Sequence, residues 1–278
     1  MALQLDDIKY FLAVSETLNV TRASEVLGIT QPTLSYSIKR LEKEVNGQLL
    51  IRLKNGVQLT HLGSEFVTKA HILMNQWNEL QKISVEREEK VTGEYTIGLH
   101  PSVALFTLDQ FLPKLMTENE SLTLKLVHGL SREITEQVIS WKIDFGIVVN
   151  PKAHPDLVIK ELCRDQVGLF QKKSLPKSAK ETLIYDGNLF QSKAVIKKLK
   201  IAFKKEITSE NLEVIAKMTS LGIGVGLLPQ RVAAAHKNLS MIKDSPTHMD
   251  RICLIYRHEK QKSFSSKTII QTIQEGNY

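Results

Sequence analysis

The chain has 278 residues, 42% apolar and 24% charged, with 37 Lys+Arg against 30 Asp+Glu. That length suits about two domains with separate cores, and no run of eighteen apolar residues offers a membrane span. The net charge of +7 does not by itself indicate nucleic acid. Residues 1–90 hold 11 basic against 11 acidic side chains, and the excess sits in 172–205, where ten lysines face only Glu181 and Asp186. That stretch reads as solvated surface. The chain carries Asp6 and Asp7 where a secretory leader needs a basic start and an apolar stretch, so a cytoplasmic address is expected. Cys163 and Cys253 each sit in an apolar, strand-like run and read as structural thiols.

In chain order, the first predicted helix starts at Asp6-Asp7 and carries an apolar stripe of Ile8, Phe11, Leu12 and Leu18. Asn19 and Thr21 are caps for a short second helix that Gly28 ends, and Ile29 plugs the turn. Thr30 caps a third helix with Pro32 in its first turn and Leu34, Ile38, Leu41 and Val45 on its buried face. At 100° per residue the opposite face carries Pro32, Thr33, Tyr36, Lys39, Arg40 and Lys43, flanked by Gln31 and Ser35. Such a face suits a major groove, with Gln31, Ser35 and Tyr36 toward base edges and Lys39 and Arg40 toward phosphate or guanine. Spacing alone equally allows a solvated helix. Two short apolar runs, Leu49 to Arg52 and Val57 to Leu59, are then joined through Lys54-Asn55-Gly56, a hairpin signal. A basic hairpin after helix-turn-helix is a wing, with Arg52 and Lys54 placed for the sugar-phosphate backbone.

Here the runs Tyr-Phe-Leu-Ala-Val, Ala-Ser-Glu-Val-Leu-Gly-Ile-Thr-Gln-Pro-Thr-Leu-Ser, Ile-Lys-Arg-Leu-Glu and Leu-Thr-His-Leu-Gly resemble LysR-type regulators over residues 5–63. The resemblance implies base contacts at Gln31, Ser35 and Tyr36 and a phosphate contact at Thr60. The DNA-contacting set expected on both grounds is Thr21, Arg22, Gln31, Pro32, Thr33, Ser35, Tyr36, Lys39, Arg40, Arg52, Lys54 and Thr60. Tyr36 stands where the family often has arginine or glutamine, and Leu50-Ile51 replaces the usual Phe-Glu, so operator preference does not carry over.

From Leu62, the residues Phe66, Ala70, Leu73, Trp77 and Leu80 recur at intervals of four and three, the seam of a two-stranded coiled coil. Packing of this helix on its own chain is the alternative. The run Glu86-Arg87-Glu88-Glu89-Lys90 is expected to end it as a hinge. Beyond, strand-like Tyr95 to Leu99, Thr123 to His128 and Asp144 to Val149 alternate with helix-like Ser102 to Met116 and Ser131 to Trp141, which predicts parallel strands with crossover helices. Loops at His100, Gly129 and Asn150 should converge on one crevice at the carboxyl ends of the strands. Ser102 and Ser131 open helices there, offering hydroxyls and amides that suit a carboxylate or phosphate, although simple capping accounts for either alone. Thinner LysR-like runs follow in Tyr-Thr-Ile-Gly, His-Gly-Leu-Ser-Arg-Glu, Asp-Phe-Gly-Ile-Val-Val and Leu-Gly-Ile-Gly-Val-Gly-Leu-Leu-Pro. They imply an effector domain resembling periplasmic binding proteins, with His100, Ser102, Ser131, Val149 and Asn150 beside its pocket.

The expected architecture is therefore a winged helix-turn-helix over 1–60, a linker and dimerisation helix over 61–90, and an α/β effector domain over 91–278. Its first subdomain takes about 91–165 and 245–278, its second about 166–244, which looks short for the family. The Gly222-Ile-Gly-Val-Gly226 run follows a helix and leads into a strand, the reverse of a dinucleotide loop. No histidine set has metal spacing, no nucleophile elbow surrounds Ser102, and no cofactor or catalysis is expected. The expected partners are a pseudo-palindromic double-stranded operator, a small-molecule effector for which an anion is one chemistry, a second copy as dimer or tetramer, and RNA polymerase in the case of an activator. A redox switch through Cys163 and Cys253, or a degenerate pocket without ligand, are the alternatives.

Overall fold

The structure, a computed structural model, describes residues 4–86, 91–199 and 202–278. By internal packing the chain divides into one unit of 1–90 with 140–142 and another of 91–139 with 143–278. The residues 87–90 of the expected hinge lie outside the described residues.

In the first unit, α1 (Leu5–Thr17) buries Ile8, Phe11, Leu12 and Val14, one stripe at helical spacing. Leu18, expected to extend that stripe, instead closes the helix in the left-handed region at φ 49° and stays exposed. Its carbonyl accepts the Val57 amide at 2.9 Å, so the helix end is tied to the hairpin. In α2 (Val20–Leu27) the Asn19 side chain accepts the Arg22 amide at 3.1 Å; Thr21 lies inside the first turn and is not a cap. Gly28 ends the helix at φ 65°, a conformation that favours glycine. Thr30 caps α3 (Gln31–Glu44), which buries Leu34, Ile38 and Leu41. The hairpin of β1 (Leu50–Leu53) and β2 (Gly56–Leu59) pairs Leu53 with Gly56, so its loop is Lys54-Asn55. A side chain at Gly56 would meet the Leu18 carbonyl oxygen at 2.6 Å. The long α4 (His61–Glu86) follows.

In the second unit, β3 (Gly93–Leu99), α5 (Pro101–Glu118), β4 (Leu122–His128), α6 (Ser131–Ile139) and β5 (Phe145–Val149) form the expected alternation, with β4 and β5 parallel to β3 on either side. The long β6 (Leu157–Lys172) leads to β7 (Thr182–Tyr185), α7 (Phe190–Ile196), β8 (Lys205–Thr208), α8 (Leu212–Leu221) and β9 (Val225–Pro229). After α9 (Gln230–Ala234) and β10 (Leu239–Met241), β11 (His248–Arg257) returns and α10 (Phe264–Gln274) follows. One mixed sheet runs β4-β3-β5-β11-β6-β9-β7-β8, with β10 beside β6. Because β6 and β11 pair antiparallel through the middle, they are the two crossovers between a first lobe around β3 and a second around β7. Gly222 ends α8 at φ 86°. At Gly226 a side chain would collide with Thr219 Oγ1, so the glycine run closes a helix and lets it approach β9.

Candidate nucleic-acid interface and effector cleft

The outer face of α3 lies open. Gln31, Pro32, Thr33, Tyr36, Lys39 and Lys43 are exposed, Tyr36 to 61%, and Ser35 is half-buried beside them. Among the described residues, Gln31 and Ser35 have no side-chain hydrogen bond and Lys39, Arg52 and Lys54 no ion pair, so their polar groups remain available to a partner. Thr21 and Arg22 are exposed at the start of α2, and Arg52 and Lys54 at the hairpin tip.

Two members of the expected set are otherwise engaged. Arg40 Nε and Nη2 donate to Asp7 at 2.7 and 2.5 Å, and Nη2 also to Gln4 at 2.5 Å, while the ring of Tyr36 lies 5.7 Å from the guanidinium. The Asp7 side chain is 1% exposed, so Arg40 neutralises a buried carboxylate and fastens α3 to α1. Thr60 donates its hydroxyl to the Gln48 carbonyl at 2.7 Å and accepts the Gly63 amide at 2.8 Å. It therefore caps α4 with the oxygen expected at phosphate.

The linker seam divides in two. Ala70 is buried and Phe66 half-buried against α1, with Phe11 and Phe66 edge to face at 5.4 Å, so this half packs on its own chain. Leu73, Trp77 and Leu80 remain exposed at 43%, 36% and 59%, an uncovered apolar row.

The loop after β5 meets the crossover strand β11 through Asn150, and the start of α5 after β3 meets α9 through Ser102. His100, not Ser102, caps α5: its Nδ1 accepts the Ser102 amide at 3.2 Å and lies 2.8 Å from Ser102 Oγ. Ser131 Oγ accepts the Val149 amide at 2.9 Å, fixing α6 to β5. Asn150, in the left-handed region at φ 50°, donates through Nδ2 to Asp250 at 2.7 Å and accepts the Arg251 amide at 2.9 Å. The Ser102 amide and the acceptor side of the Ser131 hydroxyl are thus already engaged within the protein.

Sequence reasoning missed the charged centre of this cleft. Arg231, at the start of α9, is bound to Asp165 of β6, with side chains 3% and 7% exposed, and its Nη2 reaches Ser102 Oγ at 3.5 Å. One guanidinium thereby links the second lobe, a crossover strand and the first lobe. The signals were an Asp inside the run Cys163 to Gly168 and an Arg just after Leu-Leu-Pro, but nothing in their spacing joins them.

Burial, with Arg231 and His128 acting the same way, holds the His100 imidazole below its ordinary value against the opposing Glu213 and Asp186. A folded-state pKa below the unfolded one contributes stability that is complete above pH ~6.5 and is lost as pH falls through the folded value. Thermal unfolding of wild type is expected to weaken on acidification through that window. His100→Asn, which keeps a capping acceptor without titrating, removes the part of that loss due to residue 100. Identical pH profiles for the two proteins would sink this assignment.

Burial raises the Cys163 thiol and pushes Cys253 to about 11, so neither supplies much thiolate near neutrality and the redox alternative gains no support. Among the described residues no group of His, Cys, Asp and Glu could hold a metal ion, and no helix is long and apolar enough to cross a membrane.

A winged helix-turn-helix joined by a long helix to a two-lobed α/β domain defines a DNA-binding regulator with a sensing domain. The bacterial regulatory helix-turn-helix model of the lysR family matches residues 5–64, and the LysR substrate binding domain model matches 88–277. The chain belongs to the LysR family of transcription regulators, which are not enzymes. It is 26% identical over 246 residues to the regulator EstR of Acinetobacter baylyi, covering 84% of this chain and 81% of that one. Full-length OxyR of Pseudomonas aeruginosa superimposes with TM-score 0.75 at 18% identity over 99% of this chain and 94% of its own. CbnR in complex with its target DNA superimposes with TM-score 0.63 at 18% identity, over 98% and 99%.

Proposed function

We propose that the protein reads a two-part operator as a dimer, with α3 in the major groove and the hairpin at the backbone, and that a small molecule in the cleft between the lobes shifts the placement of the two heads. The observation that carries this is the open face of α3, where Gln31, Ser35 and Tyr36 present unspent polar groups at the helix start beside the cations Lys39, Arg52 and Lys54. Thr21, Arg22, Pro32 and Thr33 border it. Arg40 and Thr60 serve the scaffold, Arg40 fastening α3 to α1 and Thr60 capping α4. The exposed row of Leu73, Trp77 and Leu80 fits the dimer seam. If the protein activates transcription, RNA polymerase is a further partner.

The test compares wild type with a Ser35→Ala, Tyr36→Ala variant on fragments upstream of its own and the neighbouring gene across a salt series. Loss of base contacts worth ~1–3 kcal/mol is expected to cost the variant roughly 10- to 100-fold on the preferred fragment. Non-specific binding and its salt slope should persist, because the phosphate contacts are untouched. Equal preference by both proteins would assign sequence reading elsewhere.

A further inference from the structure

Asp165 on β6 and Asp250 on β11 are direct partners in the antiparallel register, so both side chains leave the sheet on one face. Like charges opposed in this way are unfavourable, and of the two carboxylates Arg231 forms its ion pair with Asp165, acting on Asp250 only through its charge. Asp250, 0% exposed, spends Oδ1 on Asn150 and has His248 Nε2 at 3.6 Å from the same oxygen. Its Oδ2 is buried without a hydrogen-bond partner among the described residues, and so is Arg231 Nε. From the second lobe, Asp186, 2% exposed beyond the end of β7, and Glu213 in the first turn of α8 both act electrostatically on His100. Two opposed carboxylates therefore flank one guanidinium that is bound to one of them, and two more act on the neighbouring imidazole, whose charged form burial disfavours. An orphaned buried carboxylate oxygen and an orphaned buried N–H each carry a desolvation penalty that a bound molecule would remove.

We propose that the effector is a small organic cation, an ammonium or guanidinium compound, whose charged group is held by Asp250 Oδ2 and whose hydrogen-bond acceptor is met by Arg231 Nε–H. The proposal rests on the cleft being the effector site, and it replaces the anion that the helix starts at Ser102 and Ser131 suggested. Asp186 and Glu213 supply the field that draws a cation to the mouth, and Asp250 gives it its one buried contact.

Butylamine, 4-aminobutyrate and butyrate present the same carbon chain as a cation, a zwitterion and an anion. Their binding to the full chain is measured by titration calorimetry and by thermal unfolding, for wild type and Asp250→Asn, with operator binding followed on the same preparations. The two amines are expected to bind and to raise the unfolding temperature, 4-aminobutyrate most because it also offers an acceptor, and butyrate to do neither. Asp250→Asn keeps an oxygen for Asn150, so without ligand it should melt at or above wild type while its amine affinity falls at least roughly tenfold, as loss of a charge-assisted contact implies. Butyrate binding as well as the amines, amine affinity unchanged in the variant, no amine binding up to ~10 mM (a free energy weaker than ~3 kcal/mol), or a variant melting well below wild type would each overturn the proposal. Operator binding by wild type in those same preparations separates this failure from failure of the regulatory reading.

Discussion

Arg40→Ala is expected to unfold the DNA-binding head before it weakens any contact with DNA. The guanidinium lies on the outer side of α3, where sequence spacing assigns it to phosphate, yet its two nitrogens hold an Asp7 carboxylate whose side chain is 1% exposed. Removing the cation leaves that carboxylate buried and uncompensated, a change that costs far more than an exposed ion pair is worth. The N-terminal unit should therefore lose ~10 °C or more of unfolding midpoint, read by calorimetry on the full chain as the transition belonging to that unit. Arg40→Lys should recover little, because an ammonium cannot match two carboxylate oxygens and Gln4 at once. The companion variant Asp7→Asn, Arg40→Gln exchanges charges for amides that still hydrogen-bond, and should restore most of the midpoint. A variant Arg40→Ala that melts with wild type and binds DNA with a salt slope reduced by about one would return Arg40 to the phosphate backbone.

The same side chain shows what the sequence made legible. Helix faces follow from periodicity, and Leu34, Ile38 and Leu41 are buried as their spacing requires, because that information is local. Caps were also readable where the capping atom belongs to the residue at the boundary, as at Asn19, Gly28 and Thr30. What spacing misses is which distant group claims a side chain: Asp7 claims Arg40 across 33 residues, and Gln48 claims the Thr60 hydroxyl across 12. In the linker, one apolar repeat divides, since Phe66 and Ala70 turn to α1 while Leu73, Trp77 and Leu80 stay exposed. The cleft was the least legible part. Strand order suggested where it lies, but its charged groups are Asp165 and Asp250, which the β6 to β11 register pairs, and Arg231, which α9 brings to them. His100 took the cap expected of Ser102 because an imidazole nitrogen can accept an amide as a hydroxyl does.

Arg231→Ala is expected to be the most damaging single change in the second unit. It removes the cation between two opposed carboxylates, leaving Asp165 at 7% side-chain exposure and Asp250 fully buried, and it also takes a donor from Ser102. Breaking a buried pair by deleting one partner costs about 3–5 kcal/mol, so urea unfolding of the second unit should shift by that amount. The paired variant Asp165→Leu, Arg231→Met discriminates between stability and function, because replacing both charges by apolar groups of similar size is often neutral or stabilising. It should recover the part of the unfolding free energy that belongs to Asp165, Asp250 remaining buried without the cation, while losing any effect of ligand on operator binding, since the link from the second lobe through β6 to Ser102 is then gone. If the paired variant still transmits ligand binding to DNA, Arg231 holds the fold and nothing more. If it is stable, still binds ligand by calorimetry and yet shows no effect of ligand on operator binding, the ion pair carries the coupling, and a burial that adds little net stability is explained by that role.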